Sequence, residues 1–360
     1  MGTADFAGEL KVRVAVRDGR VRGVDIESTR PQLADRLLAG KPGDEAVAMV
    51  PRLYSICGRS QHIAAELALA AARGVAGTAD ASQVRRVEAE TAQEYLWRVL
   101  LDWTRETGAA ADAITMASAR SALARDDRDA LRAIVEREVL GADARHWHEQ
   151  RTSFEDWITR GATAAARFLG PTLRDAPHEG ASDVSPLPRF DAGDTAERIV
   201  ARLDSDRGFE RRPTFDGKPA ETGAMARLHG QSLVADLVAA YGRSTLARFA
   251  ARLSELVRIV CNDDPPAPLA GSLNLAPGRG LAWVETARGL LLHQIDLDGE
   301  RIGRYRVVAP TEWNFHPQGA LAAAMAGRPA PSEDGLRRRA ERLIQSLDPC
   351  VDYTLDVAHA

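Results

Sequence analysis

Two cysteines nearly three hundred positions apart constrain this chain more than any other feature. Cys57 lies in Ile56-Cys57-Gly58-Arg59-Ser60-Gln61-His62, and Cys350 in Asp348-Pro349-Cys350-Val351-Asp352-Tyr353. If they act together, the fold must bring both ends of a 360-residue chain to one place. Two thiolates open on their other sides make a soft site, which suits iron with strong-field ligands better than magnesium or calcium. The third cysteine, Cys261, precedes the helix stop Asn262-Asp263-Asp264-Pro265-Pro266 and reads as a plain buried thiol.

Three cysteines, few and odd in number, fit free thiols in a reducing cytoplasm rather than a disulfide scaffold. A formal net charge of -4 gives no pull toward nucleic acid or an anionic membrane. No run of about 18 apolar residues reads as a membrane span. The opening Met-Gly-Thr-Ala-Asp-Phe lacks the basic lead and apolar core of a signal peptide. No Gly-rich phosphate loop follows a strand, and no Cys/His pair has zinc spacing.

Alternation of Leu10, Val12, Val14 and Val16 with Lys11, Arg13 and Arg17, then Asp18-Gly19, predicts a β-hairpin over 8–27. Helices are expected at 31–40, 60–73, 110–124, 127–139, 143–168 and 194–204, and from an N-cap at Ser82 to about 107. The Pro/Gly/Asp/Ser-rich stretch 170–194 reads as an irregular loop. A long helical stretch over 224–260 carries possible breaks at Gly230 and Gly242. Strands are expected at 281–285, 289–297 and 301–308, and helices at 318–327 and 333–346. No internal repeat or interdomain linker stands out, so a single domain over 1–360 is expected, mainly α with small β elements (α+β).

Four stretches together resemble the large subunit of nickel–iron hydrogenases. Ala287-Arg288-Gly289-Leu290-Leu291-Leu292-His293, the turn Asp298-Gly299 and Pro310-Thr311-Glu312-Trp313-Asn314 match that family's Arg-Gly-x-Leu-x-His strand, turn and Pro-Thr-x-Trp-Asn segment. Gly8-Glu9-Leu10-Lys11-Val12 is similar to its opening strand, and the segments around Cys57 and Cys350 to its two cysteine motifs. The order is collinear and reaches both ends; the middle, roughly 105–225, carries no such likeness.

The departures matter as much. The family holds its metals with four thiolates, two per motif. Here Ser60 and Tyr353 stand three positions after Cys57 and Cys350, and an alcohol or a phenol is a poor ligand for nickel or low-spin iron. Ala7 takes the place of the family's proton-transfer glutamate, Gln318 that of its pocket arginine, and Asp356 that of its final motif histidine. This pattern resembles the hydrogenase expression/formation proteins, accessory paralogues of the large subunit. The resemblance implies a degenerate large-subunit fold, no hydrogen chemistry and no nickel. It implies a scaffold on which an iron centre with cyanide and carbon monoxide ligands is transiently held. The implied partners are a small maturation chaperone, the iron-centre assembly complex and the large-subunit precursor.

On this resemblance Cys57 and Cys350 are the candidate metal ligands, with His62, Arg288 and His316 as further groups around the cargo. Cys57 aligns with the first cysteine of its motif through Gly58, or with the second through His62, and the two alignments remain open. His62 could equally serve a local structural role, and Arg288 and His293 could organise a pocket wall. Trp313, Asn314 and Pro317 are expected to set loop shape. Trp97, Trp103, Trp147 and Trp157 read as core or interface residues. Two other functions fit the same pattern: a metal-free module that recruits maturation factors, and a degenerate redox-complex subunit.

Overall fold

The computed structural model describes residues 8–30, 33–147, 150–190, 193–265 and 267–359. The chain groups into two compact units. One comprises the chain up to Val87, Asp183–Ala226 and the chain from Ala267 onward; the other comprises Glu88–Ser182 and Arg227–Pro266.

Among the described residues, all strands belong to the first unit. The expected hairpin forms as β1 (Glu9–Arg17) and β2 (Arg20–Ser28). Asp18 and Gly19 both take positive φ, 52° and 67°, as a two-residue turn matched to strand twist requires. The last strand, β7 (Asp352–His359), lies parallel to β1 on its other side, with Glu9 opposite Asp352 and Val16 opposite His359. The alternation of β1 points Leu10, Val12, Val14 and Val16 to one face, where they join Leu321, Leu343 and Ile344 of helices Ala320–Met325 and Glu333–Leu347. The two ends of the chain thus share one sheet, as the cysteine pair demands.

A second sheet has the order β3-β4-β5-β6, all antiparallel: β3 (Ala270–Ala276), β4 (Arg279–Thr286), β5 (Gly289–Asp298) and β6 (Arg301–Val308). Both faces are covered, which explains its near-continuous apolar strands. Ala282, Ile295 and Tyr305 face helix Gly58–Ala72, while Leu281, Trp283, Leu290 and Leu292 face Ile199 and Leu203 of helix Asp194–Ser205. The alanines of helix Gly58–Ala72 let its backbone approach the sheet closely. A Cβ at Gly280 would stand 2.1 Å from the Ala68 carbonyl oxygen, so only glycine fits there.

Several expected boundaries move. The N-cap of helix Ala81–Trp97 is Asp80 rather than Ser82: Asp80 Oδ1 accepts the Gln83 N–H at 2.8 Å, and Gln83 Oε1 accepts the Asp80 N–H at 3.1 Å, a reciprocal box. The expected helix 143–168 breaks at Gly161, which takes φ 61° after Arg151–Arg160; Ala164–Asp175 then continues past Pro171 into the expected loop. The stretch 224–260 divides at the two expected glycines into Ala224–Leu228, Ser232–Tyr241 and Thr245–Cys261. Strands β3 and β7 and helix Gly43–Leu53 were not legible. β7 alternates without a strong apolar face, and its residues are exposed or half-buried.

In the second unit, helix Thr245–Cys261 buries charged residues among apolar ones: Arg248, Arg252, Glu255 and Arg258. Buried charge requires partners. Arg227 meets Glu255 through Nε at 2.8 Å and Nη2 at 2.6 Å, and the Tyr95 hydroxyl donates to the same carboxylate at 2.7 Å. Arg258 donates to Glu88 at 2.8 Å, and Arg248 to the Gly180 carbonyl at 2.9 Å. Trp103 stacks on Phe168, and Trp147 and Trp157 cluster with Phe154, all buried, whereas Trp97 is exposed. Removing one partner of a buried pair leaves the other uncompensated, so Glu255→Gln should cost roughly 3–5 kcal/mol. The double variant Arg227→Met/Glu255→Leu should recover most of that loss. Denaturation midpoints check this; equal loss in both variants contradicts it.

Candidate functional site

The register of the first sheet decides where the site forms. Ser28 stands opposite Leu10, and Leu10 opposite Tyr353. The exit of β2, the start of β1 and the start of β7 therefore lie at one end of the sheet. Arg30 follows β2 there, and Cys350 precedes β7.

The Arg30 guanidinium donates through Nη1 to Cys350 Sγ at 3.2 Å and lies over the Tyr54 ring, 5.1 Å from its centroid. Burial works to lower the pKa of Arg30, but the surrounding Cys350, Tyr54, Cys57 and Glu312 outweigh it and hold the guanidinium above its usual range. Both buried cysteines thus lie within the electrostatic reach of one cation. Thr311, in the short helix Pro310–Asn314 after β6, supplies the second contact: its hydroxyl lies 2.9 Å from Cys350 Sγ and accepts the Cys350 N–H at 3.1 Å.

Cys57 precedes helix Gly58–Ala72 and is held by a neutral chain. The Gln61 side chain, one turn on, donates Nε2–H to Cys57 Sγ at 3.4 Å. Its Oε1 accepts from His293 Nε2 at 2.8 Å, which leaves His293 Nδ1 to accept the Tyr305 hydroxyl at 2.8 Å. Alternation along β5 points His293 to the same face as Ile295, toward that helix. Burial first, then Arg30, pushes the His293 pKa down to about 3, so the ring is neutral. Burial raises the Tyr305 phenol well above its usual value.

The chain around Cys350 is pinned from behind. Asp348 caps helix Glu333–Leu347 with φ 54° and forms a buried ion pair with Arg288, Nε to Oδ2 3.7 Å. Asn314 joins three backbone segments: its Nδ2 donates to the carbonyls of Arg288 (3.2 Å) and Leu347 (3.4 Å), and its Oδ1 accepts the Thr222 N–H at 2.9 Å. Asn314 thus shapes the loops, and fully buried Trp313 packs edge-on against Phe209.

Of the residues singled out from sequence, Cys350 is bonded by Arg30 and Cys57 by Gln61, both act electrostatically on Arg30, and Arg288 stands against Asp348. His62 turns along its own helix to Glu66, Nε2 to Oε1 3.1 Å. His316 accepts the Gln318 N–H at 3.1 Å within its turn; burial, then Arg212, lowers its pKa. Among the described contacts neither histidine touches a sulfur. Asp356 lies on β7, paired with Arg13 at 3.2 Å, and Ser60 is buried. Ala7 falls outside the described residues. Cys261 ends its helix in the second unit, where burial, then Asp263, raises its pKa. Sequence reasoning missed Arg30, Gln61, Thr311 and Tyr305. The i, i+4 spacing from Cys57 could have marked Gln61; nothing local marks Arg30.

The donor set defines what can be held. Among the described residues no group of three or more His, Cys, Asp or Glu side chains stands together as a metal cage. Two thiols fit only a metal that brings its other ligands with it. No described helix is long and apolar enough to cross a membrane.

The fold is that of the nickel-dependent hydrogenase large subunit. Residues 222–354 match the nickel-dependent hydrogenase family model. The nickel–iron–selenium hydrogenase of Desulfovibrio vulgaris Hildenborough superposes with a TM-score of 0.58 at 17% identity, covering 93% of this chain and 94% of that one. More narrowly, the chain belongs to the hydrogenase expression/formation protein family. It is 35% identical to hydrogenase expression/formation protein HoxV of Cupriavidus necator, covering 98% of this chain and 97% of that protein. It is 32% identical to HupK of Azotobacter vinelandii, covering 99% and 100%.

A buried imidazole with a depressed pKa makes stability fall with acid. Its contribution is fully present above the unfolded value of about 6.5 and is lost as pH falls toward about 3. Carbon-13-labelled His293 should therefore show no titration between about pH 5 and 8, where an unperturbed histidine titrates. A midpoint near 6.5 contradicts the neutral chain to Cys57.

Proposed function

We propose that this protein is a hydrogenase maturation factor that carries an iron centre bearing cyanide and carbon monoxide and delivers it to the hydrogenase large-subunit precursor. Family membership supports the maturation role. The observation that carries the finer reading is the pair of buried thiols far apart in the chain, Cys350 bonded by Arg30 and Cys57 acting electrostatically on the same guanidinium.

Low-spin iron that already carries strong-field ligands needs few more, and thiolates supply them as soft anions. Two thiolates hold such a fragment and leave it open to attack. Arg30, Thr311 and Gln61 place N–H and O–H groups against the sulfurs, which favours sulfur as an acceptor and offsets its charge. Transfer then proceeds by ligand exchange at constant oxidation state. One iron–sulfur bond to an acceptor cysteine forms as one bond to Cys57 or Cys350 breaks, and the incoming thiol's proton passes to the departing sulfur. Four acceptor thiolates against two donors give the direction. The small maturation chaperone and the iron-centre assembly complex are the proposed partners in loading. Hydrogen turnover and nickel binding are no part of this role, because the second thiolate of each motif is replaced by Ser60 or Tyr353.

Cys57→Ala and Cys350→Ala should each remove the cyanide and carbonyl infrared bands from protein purified without oxygen from its host. Each should also slow hydrogenase maturation, while Cys261→Ala leaves both unchanged. Normal maturation in the first two variants overturns the thiolate carrier and favours the metal-free recruiting module. Metal analysis of untagged protein should find no stoichiometric nickel; finding it refutes the reading.

A further inference from the structure

The first unit holds a cavity of about 320 Å³ with Arg30 in its wall, beside Tyr54 and Tyr305. Arg207, Arg211 and Arg304 also line it, and all three are exposed residues. They come from two separate stretches, the turn after helix Asp194–Ser205 and strand β6, and converge only in the fold.

Charge balance inside this cavity is uneven. Arg306 is already engaged by Glu210 and by the Leu203 carbonyl. Asp35 accepts the Tyr305 N–H at 3.0 Å, and Glu312 accepts the Ser28 hydroxyl at 2.9 Å. Burial, only partly opposed by Arg30, the Ser28 hydroxyl and Arg211, raises the Glu312 pKa and weakens it as a counter-charge. Among the described residues no salt bridge to Arg207, Arg211 or Arg304 forms, and Arg211 reaches Glu312 only through space. Five guanidiniums against the carboxylates of Asp35, Glu210 and Glu312 leave the wall cationic, and guanidiniums outside salt bridges present forks suited to oxygen anions. The volume sits at the lower end for small-molecule sites, which favours a compact ligand over a folded segment.

We infer that this cavity is a binding site for a small multivalent oxyanion, phosphate- or dicarboxylate-like, held by Arg207, Arg211 and Arg304. The site is separate from the thiols, since neither cysteine lines the cavity. It touches them through Arg30, whose guanidinium bonds Cys350 while lining the cavity, and through Tyr305, which ends the chain to Cys57. Oxyanion binding by Arg207, Arg211 and Arg304 and iron loading at the thiols are thus distinct events, and either can fail without the other.

The test is titration calorimetry on the full chain at low ionic strength, with inorganic phosphate and with succinate. Saturable binding of at least one probe, with a dissociation constant of roughly 1 mM or tighter, is expected. Which probe binds identifies the ligand as phosphoryl or dicarboxylate. Losing two charge-assisted contacts in Arg207→Ser/Arg304→Ser should weaken binding at least about tenfold. These side chains are exposed, so thermal midpoint and infrared bands should stay as in the unaltered protein. Arg211→Glu is the second variant and should weaken binding similarly. No saturable binding of either probe overturns the site, as does binding that both variants leave intact. The infrared bands report iron loading independently of either result.

Discussion

The structure depends on the parallel pairing of β7 with β1. Each strand alone is short, and β7 has no strong apolar face to drive its burial. The ladder from Glu9–Asp352 to Val16–His359 satisfies backbone groups that both strands would otherwise expose. Because β1 is central, with β2 on its other edge, this one contact fixes the exits of three strands together. Arg30 and Cys350 meet for that reason and for no local one.

The two sulfurs are then held by different physics. Cys350 is met by a cation and a hydroxyl, in a loop pinned by the Arg288–Asp348 pair and by Asn314. Cys57 is met by an amide at the end of a neutral, buried chain that runs through His293 to Tyr305. The first arrangement is electrostatic and tolerates a change of partner. The second rests on donor and acceptor directions that each member fixes for the next. The proposed carrier role would need both qualities: a site rigid enough to receive a preformed metal fragment, and sulfurs whose present contacts are weak enough to be replaced. The sheet behind helix Gly58–Ala72 supplies the rigidity, since the close approach at Gly280 leaves that helix little freedom to shift.

The second unit shows another use of charge. Its central helix buries arginines and glutamates that a purely apolar core would not need. Pairing removes most of their cost without making them clearly better than hydrophobic residues. Their geometry is specific, however: the bidentate Arg227–Glu255 contact with Tyr95 admits one register of the helices that carry them.

The sequence by itself determined the hairpin, the β4–β6 meander, the breaks at Gly230 and Gly242 and the collinear likeness to the hydrogenase large subunit. These rest on period-two or helical alternation, on turn residues such as Asp18-Gly19, and on short motifs, all of which act over a few neighbouring positions. It also marked Cys57 and Cys350, because their immediate contexts are unusual. Tertiary structure alone decided the rest. β3 was hidden because its residues Ala270-Gly271-Ser272 are small and fit under Trp283 rather than alternating. β7 was hidden because its partner lies at the far end of the chain. Arg30 reads as one arginine among many; its role comes from a sheet register that no local pattern encodes. The cavity arginines are ordinary in the sequence, and only the convergence of two distant stretches puts them in one wall.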